Sequence, residues 1–393
     1  MPNISNLIGI KIPTHLESIW LLAWTMLLHN LSRLLFTILG VGTAFFLAAV
    51  QFGILLGWIY ATTALINHAN VDLWLMAKHT PTFEYGAPIP KQTVYLARST
   101  TGVKWAQALF VSWSAWVRPN GSSISSQLIG LDHDGVGGPW EMYQGDVRSI
   151  QKPETVLIDE LYQEELGVSA LGEKAELNGM TVNIGGFSEG IRAFTGIPHV
   201  FTSIKQALVY DTRYLDDEIT YVIVRVQEGI NVKELQQDLR ERIKGIDVLT
   251  SKEFAVLTAQ YWMLKTGAGI GVVMTAFLGL FVGTIIISQT LFSTTQENRS
   301  NYVSLLAIGF DKKSLTLVVF LQSLIVGFSG IFIGGLGYWV MHCYSQHGPI
   351  NIAFNFVYFI LLTLLFLLIS IMAAGLSMRS IFKIDPIEIF SQQ

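Results

Sequence analysis

Residues 34–59 read LLFTILGVGTAFFLAAVQFGILLGWI, an apolar run broken only by Gln51. As a helix, these 26 residues rise about 39 Å, enough to cross a hydrocarbon core of roughly 30 Å with tilt. The run starts too deep in the chain and is too long for a secretory signal, and no small-residue cleavage site follows it. It is read as a retained span. Three more runs, 267–291, 315–341 and 353–378, contain no charged residue. Across the 393 residues, 51% are hydrophobic and 14% charged, with a mean hydropathy of +0.46. That composition belongs to membrane proteins rather than to soluble domains of this size.

The charge between the runs sets the layout. Residues 61–265 carry 24 acidic against 18 basic side chains, so the longest interval between spans is soluble and acidic. The predicted fold class is an α-helical membrane protein of four transmembrane helices, with a large mixed α+β extracytoplasmic domain between helices 1 and 2. The expected segments are an amphipathic N-terminal cytoplasmic helix (1–33), helix 1 (34–60), a periplasmic domain (61–265), helix 2 (266–291) and a cytoplasmic loop (292–314). Helix 3 (315–342), a short periplasmic loop (343–352), helix 4 (353–378) and a cytoplasmic tail (379–393) complete the chain.

Orientation follows from the retention of Lys and Arg on the cytoplasmic side. Arg33, Arg299, Lys312, Lys313, Arg379 and Lys383 fall on one side in this layout, and 343–352 has neither residue type. Both termini are therefore expected in the cytoplasm of an inner-membrane protein. The pairs Trp58 and Tyr60, Tyr261 and Trp262, and Tyr338 and Trp339 lie at the expected outer ends of three helices, as interfacial aromatics do.

Ahead of the first span, Leu16, Ile19, Trp20, Ala23, Trp24, Leu27, Leu28 and Leu31 recur at helical spacing. Thr14 and Glu17 form a capping-box pattern at its start. This helix is placed flat in the inner interface or against a partner protein. In the domain, 220–226 alternates as a strand. A helix over 231–244 follows, capped by Asn231 and Glu234 and stopped by Gly245, and then a strand at 246–249. Residues 155–158 and 159–166 repeat the strand-then-helix pattern, with Gly167 as terminator. Residues 110–117 read as a strand, and 120–126 as a loop. Trp105, Phe110, Trp113 and Trp116 fit either core or a cargo surface.

Several functions are excluded or disfavoured. No GxxxxGK[ST] loop is present, so ATP is not bound by that route. The spans hold Gln51, Gln289, Gln322 and hydroxyls but no ionisable group, which argues against proton or sodium coupling. Cys343 is the single cysteine, so no intrachain disulfide forms, and HExxH and CxxC are missing. Asp132, His133 and Asp134 read as a polar turn between glycines, and His342 and His347 as interfacial side chains. An acidic soluble domain without a basic stripe does not suit nucleic acid. No catalytic, cofactor or metal-binding residue is assigned.

Small residues in the spans let helices approach closely. Gly53 with Gly57, and Gly279 with Gly283, are the chosen GxxxG pairs for packing within a subunit or for a dimer; Gly267 with Gly271 and Gly330 with Gly334 share the spacing. Between helices 2 and 3, a helix over 293–308 would gather Tyr302, Leu305, Leu306 and Ile308 on an apolar patch. Such a patch fits either docking on a cytoplasmic partner or an ordinary interfacial helix.

Taken together, the chain resembles the permease subunit of a MacB/FtsX-type (type VII) ABC transporter over nearly its whole length. Asn30-Leu-Ser-Arg33-Leu-Leu-Phe-Thr37-Ile-Leu-Gly40-Val-Gly42 resembles that family's first-helix motif. Glu297-Asn-Arg-Ser-Asn-Tyr302-Val-Ser-Leu-Leu-Ala307-Ile-Gly309 resembles its coupling segment, and Asp385-Pro386-Ile-Glu388 its closing motif. Asn301 stands where the family usually has Glu, and Leu306 where a basic residue is common. The unfused chain, Tyr302 and Phe390 look most like the DevC branch, the glycolipid-exporter type.

The resemblance implies a non-catalytic subunit that works by mechanotransmission. Two permeases would pair as a homodimer above two copies of an ABC ATPase, which holds the ATP and Mg. Glu297, Arg299, Tyr302, Leu305, Ala307 and Gly309 would couple the permease to that ATPase. A periplasmic adaptor (membrane fusion protein) and a TolC-like outer-membrane channel would take the cargo, with membrane lipid around the spans. A lipoprotein-release permease and a transmembrane regulator of a cell-wall hydrolase are the alternatives.

Overall fold

The computed structural model describes residues 15–132, 134–307, 310–346, 348 and 351–382. The helices are α1 (His15–Leu28), α2 (Leu31–His68), α3 (Gln92–Arg98), α4 (Gln163–Leu166), α5 (Ile204–Tyr210) and α6 (Val232–Arg242). They continue with α7 (Ser251–Gln260), α8 (Ala268–Glu297), α9 (Arg299–Ala307), α10 (Lys312–Ser345) and α11 (Phe356–Phe382). Among the described residues four helices, α2, α8, α10 and α11, are long and apolar enough to cross a membrane. The chain divides into two compact units. One holds 1–55, 273–344 and 352–393; the other holds 56–272 with 345–351.

The second unit is the inserted domain, a mixed sheet with helices. Its strands are β1 (Leu73–Ala77), β2 (Ile89–Pro90), β3 (Val103–Val117), β4 (Ser123–Leu131), β5 (Met142–Gly145) and β6 (Thr155–Asp159). The rest are β7 (Lys174–Leu177), β8 (Met180–Ser188), β9 (His199–Ser203), β10 (Glu218–Ile219), β11 (Tyr221–Val226) and β12 (Ile246–Thr250). The main sheet runs β12-β1-β11-β3-β4-β9-β6-β8-β5, with β4·β9 and β6·β8 parallel and the other pairs antiparallel. The short strand β7 pairs with the far end of β3 and with β8, so β3, β4, β9, β6, β8 and β7 close into a ring.

Strand alternation splits the core in two. Leu73 and Leu75 of β1 join Phe110, Val222 and Val224 on one face, and Trp74 and Met76 join Leu109, Tyr221 and Ile223 on the other. Trp116 and Phe110 are fully buried, and the Trp116 indole donates to the Leu166 carbonyl at 3.0 Å. Trp105 packs partly buried on the second core, and Trp113 stands half-buried within 5.9 Å of Tyr85. The tryptophan-rich strand is thus mainly core.

Local chemistry explains the helix bounds. The Asn231 side chain accepts from the Lys233 amide at 3.0 Å and starts α6, while Gly167 and Gly245 take left-handed φ values of 70° and 89° beyond α4 and α6. Thr250 and Glu253 make a full capping box at α7. Residues 123–126, expected as loop, extend β4, because Ser126 hydroxyl pairs with that of Ser114 across the ladder at 2.9 Å.

In the first unit, α1 stops at Leu28, earlier than the apolar periodicity suggests, and Leu31 begins α2 after Asn30 caps it through the Arg33 amide. Ile19 and Ala23 bury against Val318 and Leu321 of α10, whereas Trp20 and Trp24 stay half exposed and stacked on each other. Thr14 lies outside the described residues.

Candidate functional site

The expected coupling segment divides differently from the sequence reading. Residues 293–297 are the last turn of α8, and α9 is a separate helix from Arg299 to Ala307. Its apolar patch does not face outward. Tyr302 is 1% exposed and packs with Leu315, Val319, Ala374 and Met378, and Leu305 and Leu306 lie against the same cluster. The reason is a hydrogen-bond chain: Tyr302 hydroxyl donates to Gln322 Oε1 at 2.8 Å, and Gln322 Nε2 donates to the Ala23 carbonyl at 3.4 Å. An amide inside an apolar span needs such partners, and α9 supplies one. Burial pushes the Tyr302 phenol well above its ordinary range, so it acts as a neutral donor. The face of α9 left exposed is polar, with Ser300, Asn301 and Ser304, and is followed by exposed Asp311, Lys312 and Lys313.

Glu297 pairs with Arg33 at 2.5 Å, closing α8 onto the start of α2. Arg299 is partly buried. Ala307 ends α9, and Gly309, Asp385, Pro386, Glu388 and Phe390 lie outside the described residues.

The glycines serve close packing inside the first unit. A Cβ on Gly279 would meet Gln51 at 3.0 Å, and one on Gly283 would meet the Ala44 carbonyl oxygen at 3.2 Å. A Cβ on Gly53 would strike Ile352 and the Tyr338 ring at 2.7 and 2.9 Å, and the Gly53 carbonyl accepts from the Ala353 amide at 3.0 Å. Gly57 is buried, whereas Gly271 faces open space. Gly42 and Gly334 make the closest approach, which any side chain would force apart.

The inserted domain holds two joints that sequence reasoning missed. At the first, Trp262 sits in a π-helical turn, Tyr261–Lys265, and donates to Glu84 at 2.9 Å and Thr82 at 3.1 Å. Trp262 also meets Phe194 edge-on, and Phe194 in turn meets Trp58. These aromatics were expected as a belt at the lipid boundary. Trp58 and Trp262 are half-buried against the domain, Trp58 through Phe194 and Trp262 through Phe194 and the Glu84 carboxyl that takes its indole N–H. Burial raises the Glu84 carboxyl above its usual range, against the opposing hydrogen bonds from Thr82 and Trp262. Tyr338, in the other unit, is buried and donates to the Ala353 carbonyl at 2.8 Å, while Trp339 is half exposed.

At the second joint, Asp159 accepts from the Ser188 hydroxyl and the Ile191 amide, both at 2.8 Å, and Tyr162 hydroxyl accepts from the Ala193 amide at 2.9 Å. The loop so pinned presents Arg192, whose Nε donates to the Gly348 carbonyl at 3.0 Å and whose terminal nitrogen donates to the Gln346 carbonyl. Burial raises the Asp159 carboxyl and lowers the Arg192 guanidinium from their ordinary values. No local pattern marks Arg192; its partners lie more than 150 residues away. His342 Nδ1 lies 2.6 Å from the Ile352 carbonyl, and Asp132 faces Arg98 at 3.7 Å, which gives both groups structural partners. His133 lies outside the described residues.

The comparisons with known proteins follow this division. The MacB-like periplasmic core domain family matches residues 34–242, and the FtsX-like permease C-terminal family matches 273–386. The chain belongs to the MacB/FtsX-type ABC transporter permeases. Members are permease subunits and imply an ATPase partner; the four apolar helices make this one a multi-pass membrane protein. The chain is 24% identical over 127 residues to the uncharacterized ABC transporter permease MJ1507 of Methanocaldococcus jannaschii, a match that spans 31% of each chain. The periplasmic region of MacB from Actinobacillus actinomycetemcomitans is similar at 13% identity, with 47% of this chain and 90% of that one covered and a TM-score of 0.38. The extracellular domain of the noncanonic ABC-type transporter YknZ from Gram-positive bacteria is similar at 14% identity, covering 46% and 98%, with a TM-score of 0.33.

Proposed function

We propose that this permease converts ATP hydrolysis by a separate ATPase into motion of its periplasmic domain, and so drives export of lipid-like or other cargo through an adaptor and an outer-membrane channel. The observation that carries this reading is the construction of α2. One unbroken helix starts beside the Arg33–Glu297 pair and ends where exposed His68 stacks at 3.9 Å on Trp140, a half-buried residue packed against the domain core. A stiff element of 38 residues, about 57 Å long, transmits force without a polar path through the spans. Charge-free helices fit a lever better than a conduit.

On this reading both termini are cytoplasmic, two permeases pair over two ATPase subunits, and α9 receives the stroke. The apolar side of α9 is already committed to Tyr302 and its neighbours, so the ATPase meets the polar side at Ser300, Asn301 and Ser304, together with Ala307 and Gly309 of the coupling motif. The DevC-type cargo, a glycolipid, is the finer form of the proposal.

The test is co-purification with the cognate ATPase. Wild type should form a complex that turns over ATP, and bulky charged residues at Ala307 and Gly309 should cut turnover at least tenfold. Unchanged assembly and turnover would remove the coupling role. Capture with the full-length protein decides among partners: an adaptor supports export, a lipoprotein chaperone supports release, and a cell-wall hydrolase supports regulation.

A further inference from the structure

Between the start of α2 and the last turns of α8 lies an open hollow of about 580 Å³, lined by Ser32, Arg33, Phe36, Gln289, Ser293 and Glu297 among others. Its two charged groups, Arg33 and Glu297, lie together, with the uncharged Gln289 and Thr290 farther along α8. Beside them the surface turns apolar at once: Leu35, Phe36 and Leu39 of α2 are 58%, 75% and 49% exposed, and Ile285 and Phe292 of α8 are 46% and 44% exposed. All of these lie in helices long and apolar enough to span a bilayer. A molecule that fills the hollow must therefore be polar at one end and apolar at the other.

The charges narrow its chemistry. Arg33 uses Nε for its pair with Glu297 at 2.5 Å, and both side chains remain partly exposed, at 34% and 48%. The Arg33 guanidinium lines the hollow and stays partly exposed. A guanidinium fork matches phosphate oxygens, and a carboxylate beside it matches an ammonium. Side-chain hydroxyls of Ser32 and Ser293 and the Gln289 amide add uncharged polar groups. One cation next to one anion suits a zwitterion better than a simple anion, because Glu297 would repel a phosphate that brings no positive charge of its own.

We propose that this hollow is a binding site for a phospholipid with a zwitterionic, primary-amine headgroup, a phosphoethanolamine lipid. The phosphate sits on Arg33, the ammonium on Glu297, and the acyl chains lie along Leu35, Phe36 and Leu39. The site stands on the reading of α2 and α8 as spans and is independent of ATPase coupling or cargo.

Native mass spectrometry of the full-length protein, extracted into mild detergent and offered equal phosphatidylethanolamine and phosphatidylglycerol, tests it. Wild type should retain phosphatidylethanolamine at least fivefold over phosphatidylglycerol. E297Q should bring that ratio to about one while lipid stays bound, and R33Q should lower total retained lipid several-fold. The two variants thus report different halves of the headgroup, and an unchanged melting temperature in E297Q shows that the fold is kept. Equal retention of the two lipids by wild type, or identical lipid profiles in all three proteins, would overturn the site. Displacement by soluble glycerophosphoethanolamine at concentrations comparable to the lipid would overturn the lipid as its ligand. Cysteine cross-linking of Phe36→Cys to a second copy in lipid-replete membranes would assign the hollow to a dimer instead.

Discussion

α2 runs from Leu31 to His68 as one helix, whereas the return path from Ser251 to Glu297 changes character three times: α7, a π-helical turn at Tyr261–Lys265, a break at Thr266–Gly267, and α8. Gly267 takes φ +76° with open space around its missing Cβ, so the break is conformational and not a packing requirement. The outer end of α2 is welded, with Leu65 and Ile66 in the domain core and His68 on Trp140. On the return path α7 is also seated in the core through Phe254 and Ala255, and beyond it the π-helical turn is held by Trp262 on Glu84 and Thr82. Under the proposed function α2 is the strut and the broken path the joint. π-turns and glycine breaks inside helices are where such bending is expected.

The comparison fails most visibly if the strut is cut. Ala61→Pro, two turns before the end of α2, removes one helical hydrogen bond and adds a ring clash, at a cost of about 3 kcal/mol or more. Cargo-stimulated ATP turnover should fall to the unstimulated level while the complex still assembles. The matching change in the return path, Gly267→Ala, should cost only about 1 kcal/mol of backbone strain and leave turnover within about twofold, since no side chain is displaced. Equal losses from the two substitutions would end the distinction between strut and joint.

Arg192→Ala comes next. It leaves the Gly348 and Gln346 carbonyls without their charged donor, a loss of about 1.5–3 kcal/mol. Export should drop several-fold while the melting temperature of the full-length protein shifts by a few degrees, and Arg192→Lys should rescue only part of it because Lys lacks the planar fork. Full export by the Ala variant would show that the loop at 345–351 carries no load.

Tyr302→Phe is smaller. It removes one hydroxyl and leaves Gln322 Oε1 unsatisfied in an apolar surround, which costs about 1–3 kcal/mol. α9 should loosen, seen as faster amide exchange over 299–307, with ATPase binding retained. Unchanged exchange would show that Leu305 and Leu306 alone seat the helix.

Much of this architecture is legible in the sequence because it depends on local or periodic signals. The apolar runs mark α2, α8, α10 and α11, and Asn231 with Gly245 brackets α6. The ring closure through β7, the Arg192 contacts and the Glu84–Trp262 bond join residues far apart in the chain, and no spacing rule reports them. For α9 the apolar residues were visible but not their destination. That is fixed by Gln322, a polar residue in a span whose need for a partner is the one signal that points back to Tyr302. Gly53, Gly279 and Gly283 make close contacts with Ile352, Gln51 and Ala44, partners that no spacing rule names, while Gly267 and Gly271 share the spacing and face open space.

The finest test concerns the joint itself. Burial raises the Glu84 carboxyl above its ordinary value, so the folded domain holds this proton to higher pH than the unfolded chain does. The sign follows: the stabilisation is complete below the ordinary glutamate range and is lost as pH rises through the elevated folded value. Once ionised, the buried carboxylate keeps its bonds from Trp262 and Thr82 but bears the desolvation cost. Glu84→Gln keeps an acceptor for the indole and has no charge to desolvate. The variant should match wild type in acid and melt higher than wild type toward neutral pH, with a flatter dependence between, read by scanning fluorimetry of the full-length protein. Amide exchange localises the effect. In wild type, exchange over 261–267 should accelerate with rising pH beyond the intrinsic base-catalysed rate, while 61–67 in α2 should follow the intrinsic rate alone. If both segments respond alike, the acid acts on the whole domain and the return path is no more jointed than the strut.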